Sequence, residues 1–175
     1  MFLAVILIFT AFIIYIFVSR KRSPVPYFPT NKKDVPLIIK ALNLEKNKSI
    51  VDLGAGNGIV IFKAASEAYK RGFDTKFYAV EINPVLVFIM NIRKLFHKNK
   101  KNIYILSEDF TKMSLKKFKN AVFYLYLSPK YLDIVYQKIK KEASNPKIIS
   151  YFYKTNERID FIKIKGENNL YVTVS

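Results

Sequence analysis

Three glycines at alternate positions, Gly54, Gly56 and Gly58, follow a short apolar run that ends in an acid. Residues 49–58 read Ser-Ile-Val-Asp-Leu-Gly-Ala-Gly-Asn-Gly. An apolar run of this length closing on glycines predicts a buried strand and a tight turn, with residues 59–71 as the helix beyond. Glycine permits positive φ and carries no Cβ, so a ligand can lie against the main chain of Gly54, Ala55, Gly56, Asn57 and Gly58. The spacing is one residue shorter than the Gly-x-Gly-x-x-Gly of dinucleotide binders, whose last glycine serves helix–strand packing beside a pyrophosphate. Asp52, at the end of the apolar run, is expected at the carboxyl edge of the strand, facing whatever binds there. A carboxylate in that place suits a cationic or hydrogen-bond-donating ligand better than a phosphate.

A second acid sharpens this expectation. Residues 76–81, Lys-Phe-Tyr-Ala-Val-Glu, predict another apolar strand, and its Glu81 stands 23 residues after Gly58. In a strand–helix–strand unit, an acid about 20 residues beyond the glycine-rich turn reaches the ribose hydroxyls of an adenosine. Two acids at the ends of successive strands therefore point to an adenosine-bearing ligand. Asp52 favours S-adenosyl-L-methionine (SAM) over a nicotinamide dinucleotide as the cofactor.

The chain has 175 residues, enough for one hydrophobic core. It has no cysteine, which excludes disulfides, thiolate catalysis and cysteine-based zinc sites. The single histidine, His97, sits in a Lys-rich helix end and is expected to be solvated; no metal site is indicated. The net charge of +17 comes from 25 lysines and only 5 arginines beside 13 acids. Arginine is the residue favoured for bidentate base and phosphate recognition, so the charge is weak support for nucleic acid. An anionic membrane surface accounts for it at least as well.

Residues 1–18 contain no charged side chain and are followed at once by Arg20, Lys21 and Arg22. As a helix this run would reach about 27 Å, enough for a hydrocarbon core. A cleaved signal peptide wants its positive residues first. Residues 1–19 are thus expected to be a single-pass transmembrane anchor with the remainder in the cytoplasm. Residues 20–33 form a basic linker with three prolines between Ser23 and Thr30. Residues 34–175 are expected to form the globular domain.

Within that domain a short amphipathic helix over 34–44 has Pro36 in its first turn. After the glycine turn and the helix ended by Gly72, Asn83-Pro84 marks a helix start, with Asn as cap and Pro just inside. The helix over 84–97 opens apolar on nearly all sides, which predicts deeply packed first turns. Strands follow at 103–106, 121–127 and 147–152, with a Lys-rich irregular stretch at 111–120 and a helix at 129–141. Two last strands, 160–165 and 170–175, flank the turn signal Gly166-Glu167-Asn168-Asn169. The pattern predicts an α/β, Rossmann-like, seven-stranded, mostly parallel sheet with an antiparallel C-terminal hairpin.

The residues resemble the class I (seven-β-strand) SAM-dependent methyltransferases over about residues 27–175. Val-Asp-Leu-Gly-Ala-Gly-Asn-Gly is similar to their first motif and Ala-Val-Glu-Ile-Asn, residues 79–83, to their second. Ser-Glu-Asp-Phe, residues 107–110, resembles the acidic motif whose side chain meets the adenine amino group. A closer resemblance is to the archaeal-type and mitochondrial protein-lysine N-methyltransferases. These carry Tyr-x-Pro-Thr ahead of the first motif, as Tyr27-Phe28-Pro29-Thr30 does here, and a hydrophobic membrane segment often precedes it. Asn57 stands where relatives commonly have Asp. Tyr126-Leu127-Ser128-Pro129 replaces the Asn/Asp-Pro-Pro-Tyr of enzymes that methylate base or glutamine amino groups, which argues against those acceptors.

The resemblance implies that Asp52, the glycine turn, Glu81, Ile82 and Asn83 hold SAM, with Asp109 and Phe110 at its adenine. It implies lysine side chains of a membrane or membrane-proximal protein as acceptor. Strand alternation places Tyr124 and Tyr126 on one face and Phe123, Leu125 and Leu127 on the other. With Tyr27, these two tyrosines are the candidate catalytic residues: an aromatic slot disfavours an ammonium and contacts a cationic donor. Two other functions remain open, a methyltransferase for a lipid or small hydrophobic acceptor, and a non-catalytic SAM-binding module.

Overall fold

Four of the five residues of β1 (Ser49–Leu53) are fully covered, and β1 lies at the middle of a seven-stranded sheet. The structure is a computed structural model that describes residues 6, 10, 28–45, 49–157 and 160–174. Parallel to β1 run β2 (Lys76–Val80), β3 (Ile103–Leu106), β4 (Val122–Leu125) and β5 (Lys147–Tyr151). The hairpin of β6 (Phe161–Lys165) and β7 (Asn169–Thr173) closes the sheet, β7 antiparallel to both β5 and β6. The order is β3-β2-β1-β4-β5-β7-β6. The α/β fold expected from the sequence holds in strand number, direction and closing hairpin.

Alternation along β1 sorts its side chains onto two faces. Ile50 packs with Phe77, Ala79 and Tyr124 under α1 (Val35–Leu42), α2 (Ile59–Lys70) and α3 (Pro84–Leu95), which contribute Ile38, Ile61, Ala65 and Met90. Val51 and Leu53 pack with Phe123 and Leu125 against Leu132, Val135 and Ile139 of α4 (Pro129–Glu142). The Lys-rich connection from β3 to β4 has no helix, yet it places Met113, Leu115 and Phe118 in this second core.

Three expectations are corrected. The opening turns of α3 are not deeply packed: only Met90 of this helix is buried, while Phe88, Ile92 and Leu95 are exposed. The helix lies towards the edge strand β3, so the sheet covers one side of it. His97 is not simply solvated. Its Nδ1 accepts the Asn99 N–H at 3.0 Å, which leaves Nε2 to carry the proton and donate to the Phe62 carbonyl at 3.1 Å, with Ser66 Oγ 2.9 Å away. The single-pass anchor with a cytoplasmic domain is also overturned. Among the described residues no helix is long and apolar enough to cross a membrane. The longest described helix, α4, has 14 residues and spans about 21 Å, short of a hydrocarbon core of about 30 Å. Apart from Ile6 and Thr10, the run 1–18 on which that expectation rests lies outside the described residues, as do residues 20–27.

Asp34 ties the two ends of the fold together. It stands at the head of α1 but makes no side-chain cap there. Its buried carboxylate instead accepts from the hydroxyl of Tyr151 at 2.7 Å, from the N–H groups of Glu167 and Asn168 at 2.8 and 3.0 Å, and from Asn168 Nδ2 at 3.1 Å. Burial alone would raise the pKa of Asp34, but these hydrogen bonds from Tyr151, Glu167 and Asn168 outweigh it and lower it. Tyr151 is pushed up to about 12 by burial and by Asp34. Gly166 lets the turn fit around the acid, since a Cβ there would stand 2.4 Å from Asp34 Oδ1.

Asp34→Ala removes a buried acceptor of four donors, and is expected to cost about 3 kcal/mol in denaturant unfolding. A loss below about 1 kcal/mol would show that water replaces the carboxylate. His97 gives a pH signature. Burial lowers its pKa, with the charge of Arg93 adding, against the raising effect of the Phe62 carbonyl. The stability it contributes is full above the ordinary value of 6.5 and is lost as pH falls through the lowered folded pKa. Wild type should therefore lose more stability than His97→Gln between neutral pH and pH 5, as read by thermal melts.

Candidate functional site

The strand order reverses at β1 and β4, so the gap beyond their carboxyl ends is where an open sheet of this kind receives a ligand. Parallel register sets Asp52 opposite Ala79 on one side and Tyr124 on the other. The backbone leaves β1 through Gly54 (φ 87) and Gly56 (φ 58), then enters α2 at Gly58 (φ 74). The Gly54 and Ala55 N–H groups both donate to the Val80 carbonyl at 2.9 Å, which fastens the turn to the end of β2. Gly58 cannot carry a side chain without displacement, because a Cβ would stand 2.9 Å from both Met90 Sδ and Phe62 Cε2.

Glu81 braces the same turn. Its Oε2 accepts from the Gly56 N–H and its Oε1 from the Asn83 N–H, each at 2.9 Å. Asn83 in turn caps α3, its Oδ1 accepting from Val85 N at 3.0 Å, with Pro84 at the first helical position. Ile82 is half-buried between the two. Asn57 caps its own turn by accepting from Ile59 N, and its carbonyl receives Arg93 Nη1 at 2.5 Å.

These elements border a small, solvent-open cleft of about 30 Å³. Of the residues singled out from sequence, Asp52, Gly54, Ala55, Gly56, Asn57, Tyr124 and Tyr126 line it, joined by Phe28, Thr30, Ile59 and Val60. Gly58 and Glu81 are not among the lining residues, though Glu81 holds the turn through the Gly56 N–H. Tyr27 lies outside the described residues, whereas its neighbours Phe28 and Thr30 form one wall. Asp109 and Phe110 do not line the cleft. Asp109 Oδ1 accepts from the N–H and hydroxyl of Thr111, and Phe110 is buried beneath the turn, 3.7 Å from where a Cβ on Gly54 would stand. Thr30, Ile59 and Val60 escaped the sequence reading as ligand-facing residues; the Tyr-x-Pro-Thr pattern was the one available signal for Thr30.

The electrostatics favour a cation. Asp52 is 3% exposed, and among the described residues its carboxyl accepts no hydrogen bond. Burial, with the neighbouring charge of Glu81, pushes its pKa well above the usual range. Burial also raises Glu81, against the lowering effect of the Asn83, Gly56 and Ile82 N–H groups. Tyr124 is buried and its hydroxyl lies 3.5 Å from Thr30 Oγ1. Burial and the charge of Asp52 hold it well above the ordinary phenol range. Tyr126 is half-buried, its ring edge-on to Tyr151 at 4.9 Å. Two solvent-starved acids beside two neutral phenols form a site that gains by taking up positive charge. Among the described residues no cluster of acids or histidine with metal-ligand spacing occurs.

No family model matches the chain. Among curated proteins it is similar to a lysine N-methyltransferase of Caenorhabditis elegans that is named for a subunit of ATP synthase, 26% identical over 112 residues. That match covers 61% of this chain and 56% of the relative, so the chain spans a little over half of that protein's length. Among solved structures it resembles an RNA methyltransferase from Salinibacter ruber in complex with S-adenosyl-L-homocysteine, at a TM-score of 0.71 and 16% identity, covering 83% of this chain and 92% of that one. It also resembles a precorrin 8w decarboxylase from Methanobacterium thermoautotrophicum, at a TM-score of 0.61 and 20% identity, covering 88% and 96%. A SAM-dependent methyltransferase from Geobacter sulfurreducens with S-adenosyl-L-homocysteine gives 0.60 at 11% identity, covering 78% and 54%. The fold is that of the class I SAM-dependent methyltransferases.

Gly58→Ala combines a left-handed backbone with a Cβ pressed on Met90 and Phe62. It is expected to lower stability by about 2 kcal/mol in urea unfolding. An unchanged midpoint would mean that these side chains move aside freely.

Proposed function

We propose that the chain is a SAM-dependent methyltransferase whose acceptor is a protein lysine side chain. The observation that carries this reading is the pairing of two buried acids, Asp52 and Glu81, with a glycine turn whose main chain forms the floor of the cleft. The fit to SAM is chemical: Gly54 and Gly56 line the cleft with bare backbone, and the acids suit ribose hydroxyls and a positively charged donor. In this reading Glu81 takes the ribose, while Asp52 and Asn57 face the amino-acid end. Ala55, Gly58, Ile82 and Asn83 keep the cradle in shape. Asp109 and Phe110 flank the adenine from below.

When bound, SAM supplies an activated methyl group on a sulfonium. The work left to the protein is alignment, exclusion of water and removal of the acceptor's proton. An ordinary lysine amine, with a pKa near 10.4, costs about 4 kcal/mol to deprotonate at neutral pH, at about 1.36 kcal/mol per unit. The tyrosine wall of Tyr124 and Tyr126 addresses that cost by replacing water with ring faces beside the cleft, and Tyr27 is the third member by resemblance. Thr30, next to the Tyr124 hydroxyl, fixes the wall's orientation. A lysine acceptor is supported by the curated relative, whose name specifies lysine, and by the Tyr-x-Pro-Thr pattern. The position Tyr126-Leu127-Ser128-Pro129 lacks the polar group that grips a planar amide or base amino group.

The test is transfer of labelled methyl from SAM to proteins of a cell extract, comparing wild type with Asp52→Ala and Tyr124→Phe. Label should accumulate on lysine and fall at least tenfold with Asp52→Ala; equal labelling by that variant would sink the site. Calorimetry adds a proton count. Because burial raises both acids, uptake of a cation should favour their charged forms, and affinity for SAM should weaken as pH falls. The binding heat should then change with the ionisation heat of the buffer; a heat independent of buffer would mean that both acids are already ionised.

A further inference from the structure

Four described residues other than glycine have positive φ: Asn43, Asn120, Asn145 and Phe152. Three are asparagine, a residue that visits this region readily. Phe152, at φ 74, is a bulky residue in a conformation that glycine or asparagine would adopt with less strain. Backbone strain of this kind persists where the surroundings impose it, and clusters at ligand-binding positions. The surroundings are visible: the Phe152 N–H donates to the Asn169 carbonyl at 2.8 Å, and the Ser150 hydroxyl donates to the Tyr153 carbonyl at 2.7 Å.

Core packing does not explain the choice of phenylalanine, because the side chain is 43% exposed. Its ring lies 6.3 Å from that of Tyr126 and 4.6 Å from that of Tyr153. Tyr126 lines the cleft, so Phe152 prolongs the aromatic wall outward from β4 to the end of β5. Lysine and arginine side chains sit over Phe62, Phe73, Tyr104, Phe118 and Phe161. Among the described residues none sits over Tyr126, Phe152 or Tyr153. Among the described residues, then, no lysine or arginine of the chain itself covers these rings, which are of the kind that can take a cation.

We propose that Phe152 is a specificity-determining contact for the acceptor: with Tyr126 it forms an aromatic rim that seats the aliphatic stem and cationic head of an incoming lysine side chain. The proposal rests on the lysine methyltransferase reading and assigns it a residue that reading did not contain. The strained backbone leaves the ring beside Tyr126, which lines the cleft, and in this proposal the ring meets the acceptor before its amine reaches the tyrosine slot.

The test uses the full chain with Phe152→Gly and Phe152→Tyr, and Nα-acetyl-lysine N-methylamide as the acceptor with labelled SAM. Phe152→Gly should melt at the same temperature as wild type or higher, because glycine relieves the backbone. Its kcat/KM for the acceptor should fall at least tenfold, mainly through KM, and Phe152→Tyr should restore it to within threefold. A markedly lower melting temperature for Phe152→Gly would show that the ring serves packing, and an unchanged kcat/KM would show that it does not meet the acceptor; either overturns the rim. SAM affinity by calorimetry separates the two claims. If wild type binds no SAM, the methyltransferase reading falls, whereas normal SAM binding with unchanged kcat/KM removes the rim alone.

Discussion

Glu81 holds the structure's working end in one piece. A single carboxylate receives the main-chain N–H of Gly56 from one loop and of Asn83 from another. Both donors sit where the chain leaves a strand, and neither has a partner within a helix or sheet. The acid at the end of β2 is thus a structural brace. The brace makes the geometry of the turn depend on β2, and through Asn83 on the start of α3. Arg93, further along α3, closes the circuit by reaching the carbonyl of Asn57.

The molecule divides into two functional sides around that brace. One side is the glycine turn, its acids and the helices α2 and α3 that support it. The other is the segment around Phe28 and Thr30, the tyrosines of β4 and the turn after β5. The second side is held by Asp34, whose carboxylate gathers Tyr151 and the hairpin turn at Glu167 and Asn168. Tyr151 then supports Tyr126 edge-on. One buried acid on each side does the fastening, and each is satisfied by backbone N–H groups, so neither depends on an exposed salt bridge that water and salt would screen.

The glycine turn, the acid after β2, the Asn83-Pro84 helix start and the closing hairpin were all legible in the sequence, because each rests on local rules. Glycine needs no neighbour to take positive φ, and asparagine caps the helix beside it. The packing of α3 was misread because an apolar helix and a buried helix have the same composition; only the sheet edge decides how much of it is covered. Asp34 looked like a helix start, and its true partners lie 117 to 134 residues away. Phe152 carried no signal at all, since positive φ at a phenylalanine is imposed by tertiary contacts. Asp109 and Phe110 matched a motif; Asp109 turns an oxygen to its own loop at Thr111 and Phe110 is buried, so neither is among the residues lining the cleft.

The Asp34 clasp has a consequence for how the domain is assembled. Three of its four donors come from the hairpin turn that follows nearly every other element, so closing it means bringing together chain segments separated by 133 residues. Contacts of such separation form late, after the entropy of the intervening loop has been met by nearer pairings. The glycine turn, β2 and α3 need only about 40 residues of continuous chain to meet. The glycine turn can therefore close from neighbouring chain, whereas the clasp that steadies Tyr151, and through it Tyr126, waits on the far end of the sequence.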